Sequence, residues 1–244
     1  MLKRVKVVLY ADQEITLPKS YSRILQGAIY ATFTKRMAKK LHDIGFRVGN
    51  KRIKLFTFSV IFGRHREKGR TITFKPPIHF YFTTALPNVL SSFLKGLMKK
   101  GKMRIGKYEL WVHMIEEREV RAQNEVDLKT LSPLVVSVRD GRKHKYLAPS
   151  DERFFDIIKK NLYRKLIAKL GKEVVSENLN IEILPLFKNR RWRKVVTFFK
   201  GTPITAWEGM LKLRGSKKLI ELALVAGLGA RNAQGFGMMI PRRM

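Results

Sequence analysis

Apolar residues along the chain switch between two spacings. Residues 5–10 (VKVVLY) form a β-branched run of strand type. In TLPKSYSRILQGAIY, Pro18 and a serine then precede apolar positions at Ile24, Leu25, Ala28 and Ile29, the spacing of an amphipathic helix. Residues 54–62 (KLFTFSVIF) and 78–84 (IHFYFTT) alternate as strands. Residues 87–99 return to helical spacing, with Val89, Leu90, Phe93, Leu94 and Leu97 inward, and 108–117 (YELWVHMIEE) return to strand. The order is β-α-β-β-α-β.

The second half repeats that order. Strands at 134–138 and 145–147 flank an Asp140-Gly141 hairpin turn. Pro149 and Ser150 open a long helix over 151–170, with acidic residues in its first turn, where the helix dipole favours them. Strands are expected over 180–187, 194–199 and 205–213. Ser216 caps a helix over 217–226, and 236–240 closes as a strand. A polar stretch at 119–128 separates the halves. The pattern predicts an α+β chain of two tandem ferredoxin-like (β-α-β-β-α-β) domains, residues 1–122 and 123–244, the second with an extra hairpin.

Composition adds a partner. Lys and Arg total 51 against 19 Asp and Glu, a formal net charge of +32 over 244 residues. So much positive charge in a folded body calls for a polyanion, and nucleic acid is the expected one. The basic residues run from Lys3 to Arg243, so they belong to the body and not to a tail. There is no cysteine, which excludes disulfides and thiol catalysis. No apolar run reaches the roughly 18 residues of a membrane span, and a cytoplasmic protein without membrane partners is expected. The basic-then-apolar start, MLKRVKVVLYA, reads as a strand. The aromatic signature of RNA-stacking sheets is missing from the central strands, so RNA contact is expected to be electrostatic and backbone-directed, in the cleft between the domains.

The stretch GLGARNAQGFG, residues 227–237, needs its own explanation. It lacks the Lys-Ser/Thr of a phosphate loop. A dinucleotide fingerprint needs strand before glycines before helix, and here the helix comes first. A helix C-cap explains one or two of the glycines Gly227, Gly229, Gly235 and Gly237, not all four. What remains is a supporting loop whose bare backbone packs against a helix or a nucleic acid strand, with Arg231 available to a phosphate.

This stretch resembles the glycine-rich signature of the RAMP superfamily, and more narrowly of the CRISPR repeat-RNA-processing endoribonucleases, the Cas6 family in its archaeal type. LQGAIY (25–30), LH (41–42), KLFTFS (54–59), LSPLVVSV (131–138) and TAWEG (205–209) are similar to family motifs and occur in the expected order. The resemblance implies two ferredoxin-like domains and a metal-independent endoribonuclease acting on CRISPR repeat RNA in the precursor transcript. The RNA 2′-hydroxyl would attack the adjacent phosphorus, giving a 2′,3′-cyclic phosphate and a 5′-hydroxyl. It implies no metal and no cofactor, and the sequence holds no HExxH or cysteine ligand set. It carries Tyr30, His42 and Lys54 over as catalytic residues. Lys54 would hold the phosphate, while either His42 or Tyr30 could be the base.

That assignment makes a structural demand. On one straight helix, residues 30 and 42 would lie roughly 18 Å and about 120° apart, at 1.5 Å and 100° per residue. The helix must therefore break between them, at Thr32 or Thr34. Expected RNA contacts are Lys35, Arg36 and Lys39 in the basic segment after the break, Arg52 in FRVGNKR, Arg139 in the hairpin, and Arg190, Arg191 and Arg193 around Trp192, which could stack on a base. Arg231 completes the set. His65 and His144 lie in basic turns, whereas His79 and His113 sit in strands. The CRISPR effector complex and a homodimer are further partners left open. A non-catalytic repeat-RNA binder of the same fold and a ribosomal-type structural RNA binder are the alternatives.

Overall fold

A computed structural model describes residues 2–41, 45–49, 51–141, 143–171, 179–186 and 192–242. The first half contains β1 (Lys3–Tyr10), β2 (Ile15–Pro18), α1 (Ser22–Thr32), α2 (Lys35–Lys39), β3 (Phe46–Val48), β4 (Lys51–Ile53), β5 (Phe56–Phe58) and β6 (Phe62–Lys68), then β7 (Thr71–Thr84), α3 (Pro87–Lys100), β8 (Lys102–Ile105) and β9 (Tyr108–Glu119). The long strand β7 organises the sheet. It pairs with β1 and β2 on one side and with β5 and β6 on the other, and β1 in turn pairs with β9 and β9 with β8. All these pairings are antiparallel, and the order β9-β1-β7-β5 is that of a ferredoxin-like unit. Strand alternation puts Val5, Val7, Leu9, Phe74, Phe80 and Phe82 on the face that α1 and α3 cover. Each fully buried aromatic side chain contributes about 1.5–3 kcal/mol of burial.

The second half contains β10 (Glu125–Thr130), β11 (Ser137–Asp140), β12 (Lys143–Tyr146), α4 (Arg153–Leu170), β13 (Ile181–Pro185), β14 (Arg193–Phe199), β15 (Thr202–Glu208), β16 (Met210–Gly215), α5 (Lys217–Ala226) and β17 (Met239–Pro241). Its sheet runs β13-β16-β10-β17, again the ferredoxin-like order, with β11–β12 and β14–β15 as separate hairpins. The predicted α+β fold of two ferredoxin-like units is therefore the observed one.

Three strand expectations need correction. The first strand of the second sheet is β10, inside the polar stretch read as a separator. Its Glu125 and Asp127 face Lys212 of β16, so its charges lie on the outer face while Leu128 is buried. Of residues 134–138, Leu134 and Val135 make only isolated bridges, to Trp207 and Ala230, while Ser137 and Val138 open β11. The run 205–213 is two strands: the chain leaves the β14–β15 hairpin at Gly209 and enters the sheet as β16, with the Trp192 ring packed against Gly209. The run 54–62 is also divided, into β5 and the start of β6. Among the described residues no helix is long and apolar enough to cross a membrane.

The two units share a broad contact. Leu55 and Ala85 of the first unit are buried in the core of the second. The β3–β4 hairpin turns Phe46 and Ile53 toward that same core. Arg4 of β1, itself buried, donates from Nη2 to the Met239 carbonyl of β17 at 2.9 Å.

Candidate active site

Ser22, Gln26 and Tyr30 recur every fourth residue on α1 and so form one ridge beside its buried face of Leu25, Ala28, Ile29 and Thr32. The helix stops at Thr32. Phe33 turns extended (ψ 159°), Thr34 is extended too, and its hydroxyl accepts from the Met37 N–H at 3.3 Å to start α2. The break that the candidate site requires is thus present. Its cause is packing. Phe33 leaves the helix to enter a ring cluster, 6.5 Å from Phe56, 6.2 Å from Phe82 and 5.9 Å from Phe93. At the same point α3 crosses so closely that a Cβ on Gly96 would sit 1.8 Å from the Thr32 carbonyl oxygen. Lys100 of α3 donates to the Ala31 carbonyl, supplying a cation at the end of α1.

Tyr30 stands at that end, half-buried, its ring edge-on to Phe33 and Phe56 at 6.0 Å. Lys54 arrives from the link between β4 and β5. The next residue, Leu55, pins that link, because its carbonyl accepts from the Ala85 N–H and the Thr84 hydroxyl, both at 2.9 Å. Lys54 Nζ donates to Tyr30 Oη at 3.1 Å and lies 5.4 Å from the ring centroid. Two of the three predicted residues, 24 positions apart, therefore meet. His42 lies outside the described residues. Burial pushes the Tyr30 phenol up to about 12, so it keeps its proton at neutral pH.

The predicted RNA contacts divide. Lys35, Arg36 and Lys39 are exposed on α2, directly beyond the break, and Arg52 is exposed on β4, two residues before Lys54. Arg139 is exposed on β11. Arg193 is exposed but forked onto Glu208 across its hairpin, with Nε donating to Oε2 at 2.8 Å. Arg190 and Arg191 lie outside the described residues. Trp192 is half-buried, edge-on to Phe154 at 5.8 Å, so its ring serves the protein core. His65 and His144 are exposed, as is His113 on β9. His79 stacks on Phe62 at 5.3 Å, and burial lowers its pKa.

The glycine-rich stretch carries no reactive group; it is a joint. Its backbone packs on the first unit. The Ser22 hydroxyl donates to the Gln234 carbonyl and Gln26 Nε2 to the Ala233 carbonyl, each at 2.5 Å. The Thr57 hydroxyl of β5 donates to the Phe236 carbonyl at 3.1 Å, and Gly235 lies against the Phe58 ring. Gly237 shows why glycine is needed: with φ +68°, an added Cβ would stand 2.0 Å from the Leu228 carbonyl oxygen. Asn232, buried, binds the loop to itself through Nδ2, at 2.8 Å to Leu228 and 3.0 Å to Phe236 carbonyls. Arg231 is half-buried and bonds Gln234 at 3.1 Å.

Sequence reading missed Lys165 of α4. It is buried, and Nζ donates to the Gly227 carbonyl at 2.6 Å and the Gly229 carbonyl at 3.2 Å. A signal was present: Phe154, Ile158, Leu162 and Leu166 mark the inward stripe of α4, and Lys165 falls on it.

Comparisons with known proteins point to one family. A family model described as CRISPR-associated protein Cas6, C-terminal, matches residues 115–240, and one described as Cas6, N-terminal, matches residues 16–116. The CRISPR-associated endoribonuclease Cas6 of Pyrococcus furiosus is 28% identical over 235 residues, covering 93% of this chain and 84% of that protein. CRISPR-associated endoribonuclease Cas6 1 of Methanocaldococcus jannaschii is 27% identical over 246 residues, covering 97% and 92%. A solved structure described as a RAMP protein binding different RNA substrates has a TM-score of 0.78 at 22% identity, over 100% of both chains, and so shares the fold.

Proposed function

We infer the function from the premise that the chain belongs to the Cas6 family of CRISPR-associated proteins. On that premise it binds CRISPR repeat RNA in the precursor transcript and cleaves it without a metal. The single observation that carries the chemistry is the Lys54–Tyr30 contact at the break after α1. It puts a cation and a protonated phenol side by side in a half-exposed setting.

The RNA supplies its own nucleophile. A base removes the 2′-hydroxyl proton, the 2′ oxygen bonds to phosphorus, and the P–O5′ bond breaks as the 5′ oxygen takes up a proton. The products are a 2′,3′-cyclic phosphate and a 5′-hydroxyl. With its pKa at about 12, Tyr30 suits proton or hydrogen-bond donation and not the base. The base is then assigned to His42, because an imidazole is the side chain whose ordinary pKa lies nearest neutral pH. Lys54 offsets the charge that builds on the phosphorane. Lys35, Arg36, Lys39 and Arg52 hold flanking phosphates, consistent with the +32 charge and with the RNA substrates of the similar RAMP protein. The first domain, residues 1–122, thus carries the chemistry, and the second, 123–244, supports it through the glycine-rich loop.

Cleavage of the host's own repeat RNA in EDTA is the test, with and without a 2′-deoxy sugar at the scissile position. The expected result is cutting that survives EDTA, stops with the deoxy sugar, and leaves cyclic-phosphate and 5′-hydroxyl ends. Tight binding without cutting would instead support the non-catalytic binder.

A further inference from the structure

Lys165 is a cation in a place that penalises cations. It is buried, and burial pulls its pKa down to about 7. Among the described residues no carboxylate pairs with it. Its partners are two carbonyls just past the end of α5. The last turn of α5 has no basic residue of its own, so a lysine from the neighbouring helix meets the negative end of its dipole. Such a group stays in a core only where its hydrogen bonds offset the desolvation.

The stretch it holds leads to the candidate site. From Gly227 and Gly229 the loop passes to Ala233, Gln234 and Phe236, whose carbonyls receive Gln26, Ser22 and Thr57. Gln26 lies one helical turn before Tyr30 on the same ridge of α1. Thr57 lies three residues after Lys54. The loop therefore grips both elements that bring Tyr30 and Lys54 together.

We propose that Lys165 is a positioning residue for RNA cleavage: its ammonium fixes the glycine-rich loop, which seats α1 and β5 so that Tyr30 and Lys54 meet. This rests on the cleavage reading above. The role is separable from RNA affinity, because Lys165 is buried and the exposed cations do not depend on it.

The test compares wild type with Lys165→Met in two measurements. Hydrogen exchange is expected to rise in residues 227–237, in α1 and in β5, but not at the centre of β7. Single-turnover cleavage is expected to slow about 10- to 100-fold, the scale of a reacting-group misplacement of about 1 Å. Affinity for the 2′-deoxy-blocked repeat RNA should stay within about threefold, since backbone binding rests on surface charge. Lys165→Gln, which keeps a donor, should recover part of the rate. Gln26→Leu and Thr57→Val cut the same path from the other side, so they keep the test open if Lys165→Met does not fold. Each should slow cleavage likewise, and the double variant Gln26→Leu with Lys165→Gln should be less than additive. Unchanged exchange in α1 and β5, or changed exchange with a wild-type cleavage rate, would overturn the proposal. A wild type that binds but does not cut defeats the cleavage reading alone, and exchange still decides whether Lys165 fixes α1 and β5.

Discussion

The Tyr30–Lys54 pair and the glycine-rich loop share α1 and the segment of chain that runs into β5, yet they are built oppositely. Most of the loop is buried, and its polar atoms are met inside the protein: Asn232 binds Leu228 and Phe236, and Gly227 and Gly229 accept from Lys165. The pair is half-exposed, with Lys54 Nζ donating to Tyr30 Oη at 3.1 Å. Residues that hold a shape bury their polar atoms against one another, whereas residues that meet something from outside must keep part of their surface exposed. The most conspicuous stretch of the sequence is thus the one with no reactive group, and the candidate chemistry sits on side chains that look ordinary.

Substitutions at the two regions should separate stability from cleavage. The largest effect is expected at Gly237→Ala, where a methyl meets a carbonyl at 2.0 Å and φ is +68°. A loss of about 3–5 kcal/mol follows from overpacking plus backbone strain, enough to unfold a marginal chain, and denaturant midpoints would measure it. A shift under about 1 kcal/mol would mean the loop is looser than its packing implies. Next comes Lys54→Ala, with cleavage expected to fall about 10²–10³-fold while stability stays within about 1 kcal/mol. A comparable fall in both would erase the contrast.

The smallest effect is a pH dependence at Tyr30. Its phenol ionises near 12 in the folded chain, against 10.0 as its ordinary value. Between those values the folded chain keeps a proton that the unfolded chain releases, so stability falls as pH rises through the window. Tyr30's share is whole below 10 and gone near 12. Tyr30→Phe should make that stretch of the wild-type curve shallower, Tyr21 keeping its own share, and should shift the part below pH 10 only by a constant, the loss of the hydrogen bond from Lys54. A change in the slope of the curve near neutral pH would contradict the protonated phenol.

The sequence carried much of this architecture. The helical spacing of α1 and α3, the order of the first unit and the Thr34 cap are local, set by side-chain period and by a hydroxyl that reaches an N–H three residues on. The strand β10 escaped notice because Glu125 and Asp127 are polar on the outer face, so only Leu128 is deeply buried. Lys165 escaped because a lysine reads as surface unless the stripe around it is weighed. Gly209 gave no sign that a strand run would divide there, since its neighbour Trp192 stands 17 residues away.

Period, charge and glycine spacing therefore determined the helices, most of the strands, and the expectation of a polyanionic partner, because each is a property of neighbouring residues. Tertiary structure alone decided that Phe33 pulls the chain out of α1, that Tyr30 meets Lys54, and that a buried lysine holds the glycine-rich loop against both. Those facts depend on which distant segments share a core. Such packing follows from the summed burial of whole faces and from closures like Gly96 on Thr32, which no short stretch of sequence encodes.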